Sequence, residues 1–212
     1  MRVKMLVFAA TILLAFNVSG QNDPEAVRIL DKFSSNALKS PSVSMKFNIV
    51  SDDQAENTND TLSGSIIISG NKYKLDLPEN IIWFNGEIAW SYLPAEKEVT
   101  ITKPDKKDDS FQNRPSAIFS MYKKGYKCRL IEDKGDSYII DLYPEDIKSD
   151  FIRVRLSIGK SSLNLNNLEY KKKDGLILTL FVKNYNLKTI PDPEFFTFSP
   201  GKFKGVEIID MR

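Results

Sequence analysis

The residue types that most often perform catalysis are nearly missing from this chain. It contains no histidine and one cysteine, Cys128, which excludes Ser-His-Asp and Cys-His nucleophile arrangements and histidine metal sites. Cys128 lies between Tyr126 and Leu130 in a strand-like stretch, so we interpret it as a buried core thiol. The acidic residues form no convergent pair, and no glycine-rich phosphate loop is present. We therefore expect no catalytic residue, no cofactor and no metal, and look instead for non-covalent binding by apolar side chains.

Residues 1–20 have the composition of a secretory signal peptide. Two basic residues precede an apolar run from Met5 to Phe16, and small residues follow it. The run is shorter than the roughly 20 residues of a membrane-spanning helix, which argues against an anchor. We predict cleavage after Gly20 and a single domain over 21–212. Because no cysteine lies at the cleavage point, we expect an exported, soluble chain without a lipid anchor of its own.

The charges are balanced, with 30 basic and 28 acidic residues. Arg2 and Lys4 belong to the leader, so the remainder is neutral. This balance argues against nucleic acid or an anionic membrane surface as the main partner. A single cysteine cannot form an internal disulfide, even in an oxidising compartment. We expect a monomer that does not bind nucleic acid.

The elements that position the apolar side chains begin with an amphipathic helix. Asp23 suits the N-cap and Pro24 the first helical position. Apolar residues then recur at near-helical spacing until Ser40-Pro41. A short inserted helix is predicted over Pro115–Lys124, between strands, where it must cover something. The charged stretch Pro104–Pro115 has no apolar stripe and is predicted to be a mobile loop.

Most of the remaining sequence alternates between apolar and polar residues and predicts antiparallel strands. The polar stretch 51–61 is predicted to be a loop, and Asn85-Gly86 is a strong hairpin signal. In the segment 151–158, the residues Ile152, Val154, Leu156 and Ile158 are predicted to share one face. The predicted strands cover 43–49, 62–69, 73–77, 81–84, 87–92, 98–102, 126–132, 137–143, 151–158, 165–172, 176–184 and a C-terminal segment at 205–209.

The strands define the fold class. Turn spacing gives about ten or eleven strands, with one helix in front and one inserted. Many consecutive strands with one apolar face indicate a large curled sheet or barrel. Such a barrel has more interior than its own side chains easily fill. Either helices plug it or it holds an apolar ligand.

Four stretches, in order, resemble a known family. The first is the leading helix followed by Ser44–Val50, and the second is the Gly-led hairpin Gly64–Leu77. The third is the hairpin Ile81–Pro94, with its Asn-Gly turn, Trp, Tyr and Pro. The fourth is Phe195–Pro200, followed by Gly205-Val206-Glu207. Together they resemble the outer-membrane lipoprotein carrier proteins, the LolA-type periplasmic chaperones.

The resemblance implies an unclosed antiparallel β-barrel of about eleven strands covered by α-helices. It also implies a periplasmic carrier without covalent chemistry. The carrier would take the acyl chains of lipoproteins from an inner-membrane lipoprotein-releasing transporter and pass them to an outer-membrane acceptor. One turn departs from the better-known members, because Ser69-Gly70-Asn71 replaces a basic residue followed by Pro and Lys72 is not a match. The acceptor therefore stays unknown.

The candidate acyl-binding residues lie on one face of the strands and on the inserted helix. A closed core would show the same alternation, so this alternative stays open for each residue. The candidates are Met45, Phe47, Ile49, Ile66, Ile68, Tyr73, Leu75, Leu77, Trp83, Trp90, Tyr92, Ile118, Phe119, Met121 and Tyr122.

Three other functions stay open. A periplasmic module of similar fold could sense lipids or lipoproteins and report to a signalling partner. A general lipid carrier would share the cavity and differ in cargo. A carboxylate-dependent hydrolase would need convergent acidic residues, which the sequence does not indicate.

Overall fold

The computed structural model of the chain describes residues 22–104, 114–133 and 135–212. The leader over 1–20 lies outside this range, as does most of the charged stretch Pro104–Pro115. The predictions for these two segments are therefore not tested by the fold.

The leading helix, α1, runs over Pro24–Leu38, as the apolar spacing predicted. Asp23 caps it, because its side chain accepts hydrogen bonds from the backbone N–H groups of Glu25 and Ala26. Five apolar residues of α1 are buried, each at most 3% exposed, while Leu38 at the helix end is 54% exposed; the buried five are Ala26, Ile29, Leu30, Phe33 and Ala37.

Within the part of the chain that the structure describes, twelve strands form one sheet. The first six are β1 (Val43–Asp53), β2 (Thr58–Ser69), β3 (Lys72–Asp76), β4 (Ile81–Phe84), β5 (Ala89–Leu93) and β6 (Glu98–Thr102). The other six are β7 (Tyr126–Glu132), β8 (Ser137–Pro144), β9 (Phe151–Gly159), β10 (Leu165–Lys172), β11 (Leu176–Asn186) and β12 (Glu207–Asp210).

The sheet joins two meanders through a long-range pairing of β1 with β11. Its order is β12-β6-β5-β4-β3-β2-β1-β11-β10-β9-β8-β7, so β12 and β7 lie at opposite ends. The sheet is thus unclosed over the described residues. The prediction of about eleven antiparallel strands is corrected in two respects. The described residues form twelve strands, and β12 pairs with β6 in parallel.

The stretch 51–61 is not the loop that its polarity predicted. β1 continues to Asp53 and β2 begins at Thr58, with only a tight turn between them. Asn57 adopts a positive φ of 53° in that turn. The residues from Gln54 to Thr61 are exposed. This part of the hairpin extends beyond the core, so its strands need no apolar face.

The inserted helix is not an α-helix. Two 3₁₀ turns, Pro115–Phe119 and Met121–Lys123, are separated by Ser120, whose φ of −135° lies outside the helical range. We call Pro115–Lys123 the inserted segment. Its covering role was predicted correctly, since Ile118 and Phe119 are at most 2% exposed.

A β-bulge changes the facing of one predicted residue. Lys171 pairs with Arg153 but Lys172 pairs with Phe151, so Ile152 is the extra residue of β9. Ile152 is 45% exposed, whereas Val154, Leu156 and Ile158 are completely buried, at 0%. The prediction that all four apolar residues share one face is wrong for Ile152.

The two faces of the sheet carry separate apolar clusters. We call the face covered by α1 and the inserted segment the inner face; its cluster extends from β4 through β1 and β11 to β7. The outer face carries a second cluster at β4, β5 and β6. Residues 193–206, the C-terminal segment, cover this second cluster with Phe198, Phe203 and Val206. Within this segment, Pro193–Phe196 and Pro200–Lys202 form 3₁₀ turns.

Candidate functional site

The inner face carries an unbroken row of apolar side chains across five strands. Met45 of β1 pairs with Ile66 of β2, which pairs with Leu75 of β3, and Leu75 pairs with Ile82 of β4. On the other side of β1, Tyr185 of β11 lies opposite Met45. Residues in register on one face of a sheet contact each other, so this row forms a continuous hydrocarbon surface.

A glycine leaves room for two apolar side chains of this surface where β1 and β2 meet. Gly64 lies directly opposite Phe47 in the β1–β2 pairing. A Cβ atom at Gly64 would lie 2.8 Å from the Phe47 ring and 2.7 Å from Leu77. Any side chain there would displace both groups, which explains why the second family-like stretch begins with glycine.

The inner face is covered by α1 and the inserted segment. The rings of Phe33 in α1 and Phe119 in the inserted segment lie 5.5 Å apart between centroids. The hydroxyl of Tyr122 donates a hydrogen bond to the Asp31 carboxylate of α1. These two contacts join the helix to the inserted segment, so the two elements form one cover.

The beginning of α1 is attached to the edge strand β7. The N–H of Cys128 donates to Asn22 Oδ1 at 2.8 Å, and the N–H of Leu130 donates to Asp23 Oδ2 at 3.1 Å. The N–H of Asp23 donates to the carbonyl oxygen of Cys128 at 3.0 Å. The helix start therefore pairs with backbone groups that β7 would otherwise expose at the sheet edge.

These hydrogen bonds determine the charge state of Asp23. Partial burial works to raise its pKa, but the backbone N–H groups of Leu130, Ala26 and Glu25 outweigh it, and the pKa lies below its ordinary value of 3.8. A carboxylate that accepts several N–H bonds is stabilised in its ionised form. Asp23 is thus ionised at neutral pH and holds the helix to the sheet.

The end of α1 is attached by side-chain hydroxyls. Ser42 donates to the carbonyl oxygen of Thr189 at 2.7 Å, and Ser69 donates to that of Pro41 at 2.8 Å. Both bonds hold the connection between α1 and β1. The helix is therefore fixed to the sheet at its two ends and to the inserted segment at Tyr122.

One described pocket opens at the C-terminal end of α1. It has a volume of about 30 Å³ and is lined by Ala37, Leu38, Ser40, Ser42, Val43, Ile68, Gly70, Ser116 and Phe119. Sites for drug-sized ligands usually measure about 300–1,000 Å³. The pocket as it stands admits no acyl chain, because the apolar stripe of α1 fills the space beside the inner face.

Cys128 lies in β7 beside the start of α1. Cys128 is 1% exposed, and burial raises the pKa of its thiol to about 11. Such a thiol is protonated at neutral pH and unreactive. Within 22–104, 114–133 and 135–212, no group of three potential ligands is placed to hold a metal ion.

The buried carboxylate on the outer face is neutralised by arginine. Asp141 is 1% exposed and accepts two hydrogen bonds from Arg155, at 2.6 and 2.8 Å, and one from Tyr143 at 3.0 Å. Arg153 bridges Asp141 and Glu169. This network pairs each carboxylate with a guanidinium, so it contains no free acid and base.

Most of the sequence-predicted binding residues meet at the inner face. Those in its buried core are Met45, Phe47, Ile66, Ile68, Tyr73, Leu75, Ile118, Phe119 and Tyr122. Those packed at its margin are Ile49, Leu77 and Met121.

Trp83, Trp90 and Tyr92 are not brought together with the others. They belong to the outer cluster, since Trp83 contacts Phe198 and Tyr92 contacts Phe203, with centroids 5.5 and 4.8 Å apart. In β4, Ile82 contributes to the inner cluster while Trp83 faces the opposite way. This placement does not agree with the expectation that the three aromatic residues line the same cavity as the other candidates.

Some inner-face residues were missing from the predicted set. The strand predicted over 176–184 was not assigned to the site, although Leu180, Val182, Tyr185 and Leu187 all pack on the inner cluster. Nothing in the sequence gives the pairing of β11 with β1, which places these residues beside Met45 and Phe47.

Comparison with known proteins gives one family and a set of related folds. The family described as outer membrane lipoprotein carrier protein LolA matches residues 16–174. The fourth family-like stretch, Phe195–Pro200, lies beyond that range. A comparison with curated protein sequences finds no significant match. The described residues contain no helix with the length and apolar character of a membrane span.

Several solved structures are similar to the chain at low sequence identity. An uncharacterised conserved protein from Thermus thermophilus has a TM-score of 0.59 at 13% identity, over 88% of this chain and 99% of that one. A LolA superfamily protein from Nitrosomonas europaea has a TM-score of 0.42 at 15% identity, over 82% and 97%. A DUF1329 family protein from Desulfovibrio piger has a TM-score of 0.47 at 14% identity, over 87% and 100%.

The family match includes α1, its attachment to β7, the inserted segment and all strands of the inner face except β11. It covers well over half of the chain, and the chain therefore belongs to the outer membrane lipoprotein carrier protein family, LolA.

Proposed function

We propose that this chain is a periplasmic carrier that holds the acyl chains of lipoproteins against its inner face while they cross between the two membranes. Membership of the LolA family supports lipid or lipoprotein binding, and members of that family are periplasmic binding or carrier proteins. The finer role, shuttling from the inner to the outer membrane, is our proposal.

The observation that carries the proposal is the way the inner face is covered. A continuous apolar surface over β4 to β11 is closed by one helix and two 3₁₀ turns, not by a second sheet. Small elements with few attachments move at lower cost than a sheet, whose ladder bonds would all break. The cover can therefore leave while the strands stay paired.

Exchange of the helix stripe for an acyl chain suits a carrier. When α1 moves away, Phe33 and Ile29 lose their apolar contacts. Burial of each methylene of an incoming chain contributes about 0.8 kcal/mol, which offsets that loss. Loading and release then exchange one apolar contact for another. The net free energy stays small, which permits release at the far membrane.

The proposed partners follow from this role. Cargo would be received from an inner-membrane lipoprotein-releasing transporter and delivered to an outer-membrane acceptor whose identity is open. The carrier itself would perform no covalent chemistry.

Site-specific photo-cross-linking tests the proposal. The photoreactive residue p-benzoylphenylalanine is placed at Ile49, at the margin of the inner face, or at Val50, which points to the outer face. Cells are irradiated, and products are identified by mass spectrometry. We expect lipoprotein adducts at position 49 and none at 50.

The outcomes separate the candidate functions. Adducts with phospholipid alone at position 49 would indicate a general lipid carrier. Adducts with a signalling protein, without lipoprotein, would indicate a sensor. No lipid or lipoprotein adduct at position 49, in protein that is folded and exported, would overturn the proposal.

A further inference from the structure

Tyr185 occupies an unusual position on the inner face because of a β-bulge. Lys46 pairs with Asn184 but Phe47 pairs with Val182, so Lys183 is an extra residue in β11. Leu180 and Val182 face inward before the bulge, and Tyr185 faces inward after it. Without the extra residue, Tyr185 would point to the outer face. Bulges of this kind often redirect a side chain beside a functional site.

The bulge directs the hydroxyl of Tyr185 toward the inner face. Among the described residues, Tyr185 Oη is buried and makes no hydrogen bond. The hydroxyls of two other tyrosines are paired, that of Tyr122 with Asp31 and that of Tyr143 with Asp141. A buried hydroxyl without a partner destabilises the fold, and phenylalanine would fill the same space without that cost. A buried hydroxyl of this kind calls for an explanation other than packing.

The surroundings of the hydroxyl indicate what it would bind. Its cross-strand neighbour is Met45, and Met45 lies two residues along β1 from Val43, which lines the pocket at the end of α1. Burial raises the pKa of Tyr185 above its ordinary value of 10.0, so the group stays protonated and can donate. An acyl chain offers one group that accepts such a bond, the carbonyl at its head, and hydrocarbon for the rest.

We infer that the Tyr185 hydroxyl donates a hydrogen bond to the carbonyl oxygen of a bound acyl chain, whether ester or amide. This inference rests on the proposed carrier function. The bond would place the carbonyl near the pocket at the end of α1 and the hydrocarbon along the row of Met45, Ile66 and Leu75. Tyr185 would thus favour acylated cargo over plain hydrocarbon.

A pair of lipopeptides that differ only at the carbonyl tests the inference. One carries two palmitoyl esters on a glyceryl-cysteine, and the other carries two hexadecyl ethers. Binding of each is measured by isothermal titration with the wild type, Tyr185→Phe and the control Tyr143→Phe. A neutral hydrogen bond contributes about 3–10-fold in affinity. We expect Tyr185→Phe to lose that factor for the diester and to bind the diether as the wild type does.

A third lipopeptide distinguishes the two carbonyl sources. It combines the diether with an N-palmitoyl amide. A loss in Tyr185→Phe with this ligand, and none with the diester, would assign the bond to the amide. Denaturation of Tyr185→Phe serves as the folding control, and we expect a stability equal to or above that of the wild type.

The remaining outcomes distinguish a failure of the Tyr185 role from a failure of the carrier function. If the wild type binds all three ligands and Tyr185→Phe binds them equally well, the carrier function stands and the role of Tyr185 is overturned. If the folded wild type binds none of them, the proposed function fails and this inference fails with it.

Discussion

The side chain of Asp23 joins the first turn of α1 to Leu130 in the edge strand β7. Its Oδ1 accepts the N–H groups of Glu25 and Ala26, and its Oδ2 accepts the N–H of Leu130 at 3.1 Å. One carboxylate thus caps the helix and accepts a backbone N–H of the edge strand. The cover of the inner face is attached at this point.

Replacement of Asp23 by alanine is expected to destabilise the protein by about 1–2 kcal/mol, because the helix loses its cap and Leu130 loses its acceptor. Urea denaturation at neutral pH measures the change. Asp192→Ala is the matched control, since Asp192 caps only the short turn Pro193–Phe196. We expect less than about 0.5 kcal/mol for that exposed site. Equal losses in the two variants would contradict a special role for Asp23.

The same carboxylate predicts a pH dependence. The pKa of Asp23 is lower in the folded chain than its ordinary value of 3.8, so the unfolded state binds more protons at acid pH. The contribution is fully present above the unfolded value and is lost as the pH falls through the folded one. The stability difference between wild type and Asp23→Asn should therefore shrink below pH 3.8. A stability difference that grows on acidification would contradict the lowered pKa of Asp23.

The hydrogen bond from Tyr122 to Asp31 is expected to hold the middle of the cover. Tyr122→Phe removes it, with a loss of about 1 kcal/mol, and leaves Asp31 solvated. Amide hydrogen exchange should become faster in α1 while the amides of β1 and β11 keep their protection. Tyr143→Phe, whose hydroxyl lies on the outer face, should leave exchange in α1 unchanged. Uniformly faster exchange would mean that the helix and the sheet open as one unit.

Sequence patterns predicted the positions of the helix and strands better than the face of the sheet on which each side chain lies. The extent of α1 followed from the apolar spacing between Asp23 and Pro41, and the Asn85-Gly86 turn located the β4–β5 hairpin. Both signals are local, because capping and turn formation depend on a few neighbouring residues. The pairing of β1 with β11 is not local and could not be predicted from the sequence alone.

The facing of the candidate residues followed the alternation where strands are regular and departed from it where they are not. Met45, Ile66 and Leu75 face the cover as their alternation indicated. Ile152 and Tyr185 do not follow their alternation, since each lies beside a residue pairing that shifts by one. A bulge reverses the facing of the residues beyond it and has no sequence signature of its own.

The bulge in β9 predicts an asymmetric response to two similar truncations. Leu156→Ala should cost about 2–5 kcal/mol, because Leu156 is completely buried and leaves a cavity. Ile152→Ala should change stability by less than about 0.5 kcal/mol, since that side chain is largely in water. Chemical denaturation of the two variants provides the comparison. A large loss at Ile152 would show that it faces inward in solution.

The two clusters predict which residues contact cargo. Tyr92 packs on Phe203 at the outer face, so Tyr92→Ala should cost about 1–3 kcal/mol of stability and leave the Kd for a diacylated lipopeptide within about twofold. Ile49 lies at the margin of the inner face, and Ile49→Asn should weaken the same binding about tenfold, because an amide beside an acyl chain lacks a partner. Val50→Asn, on the opposite face, is the matched control. Weaker binding by Tyr92→Ala, with Ile49→Asn unaffected, would place the acyl chains at the outer cluster and reverse the assignment.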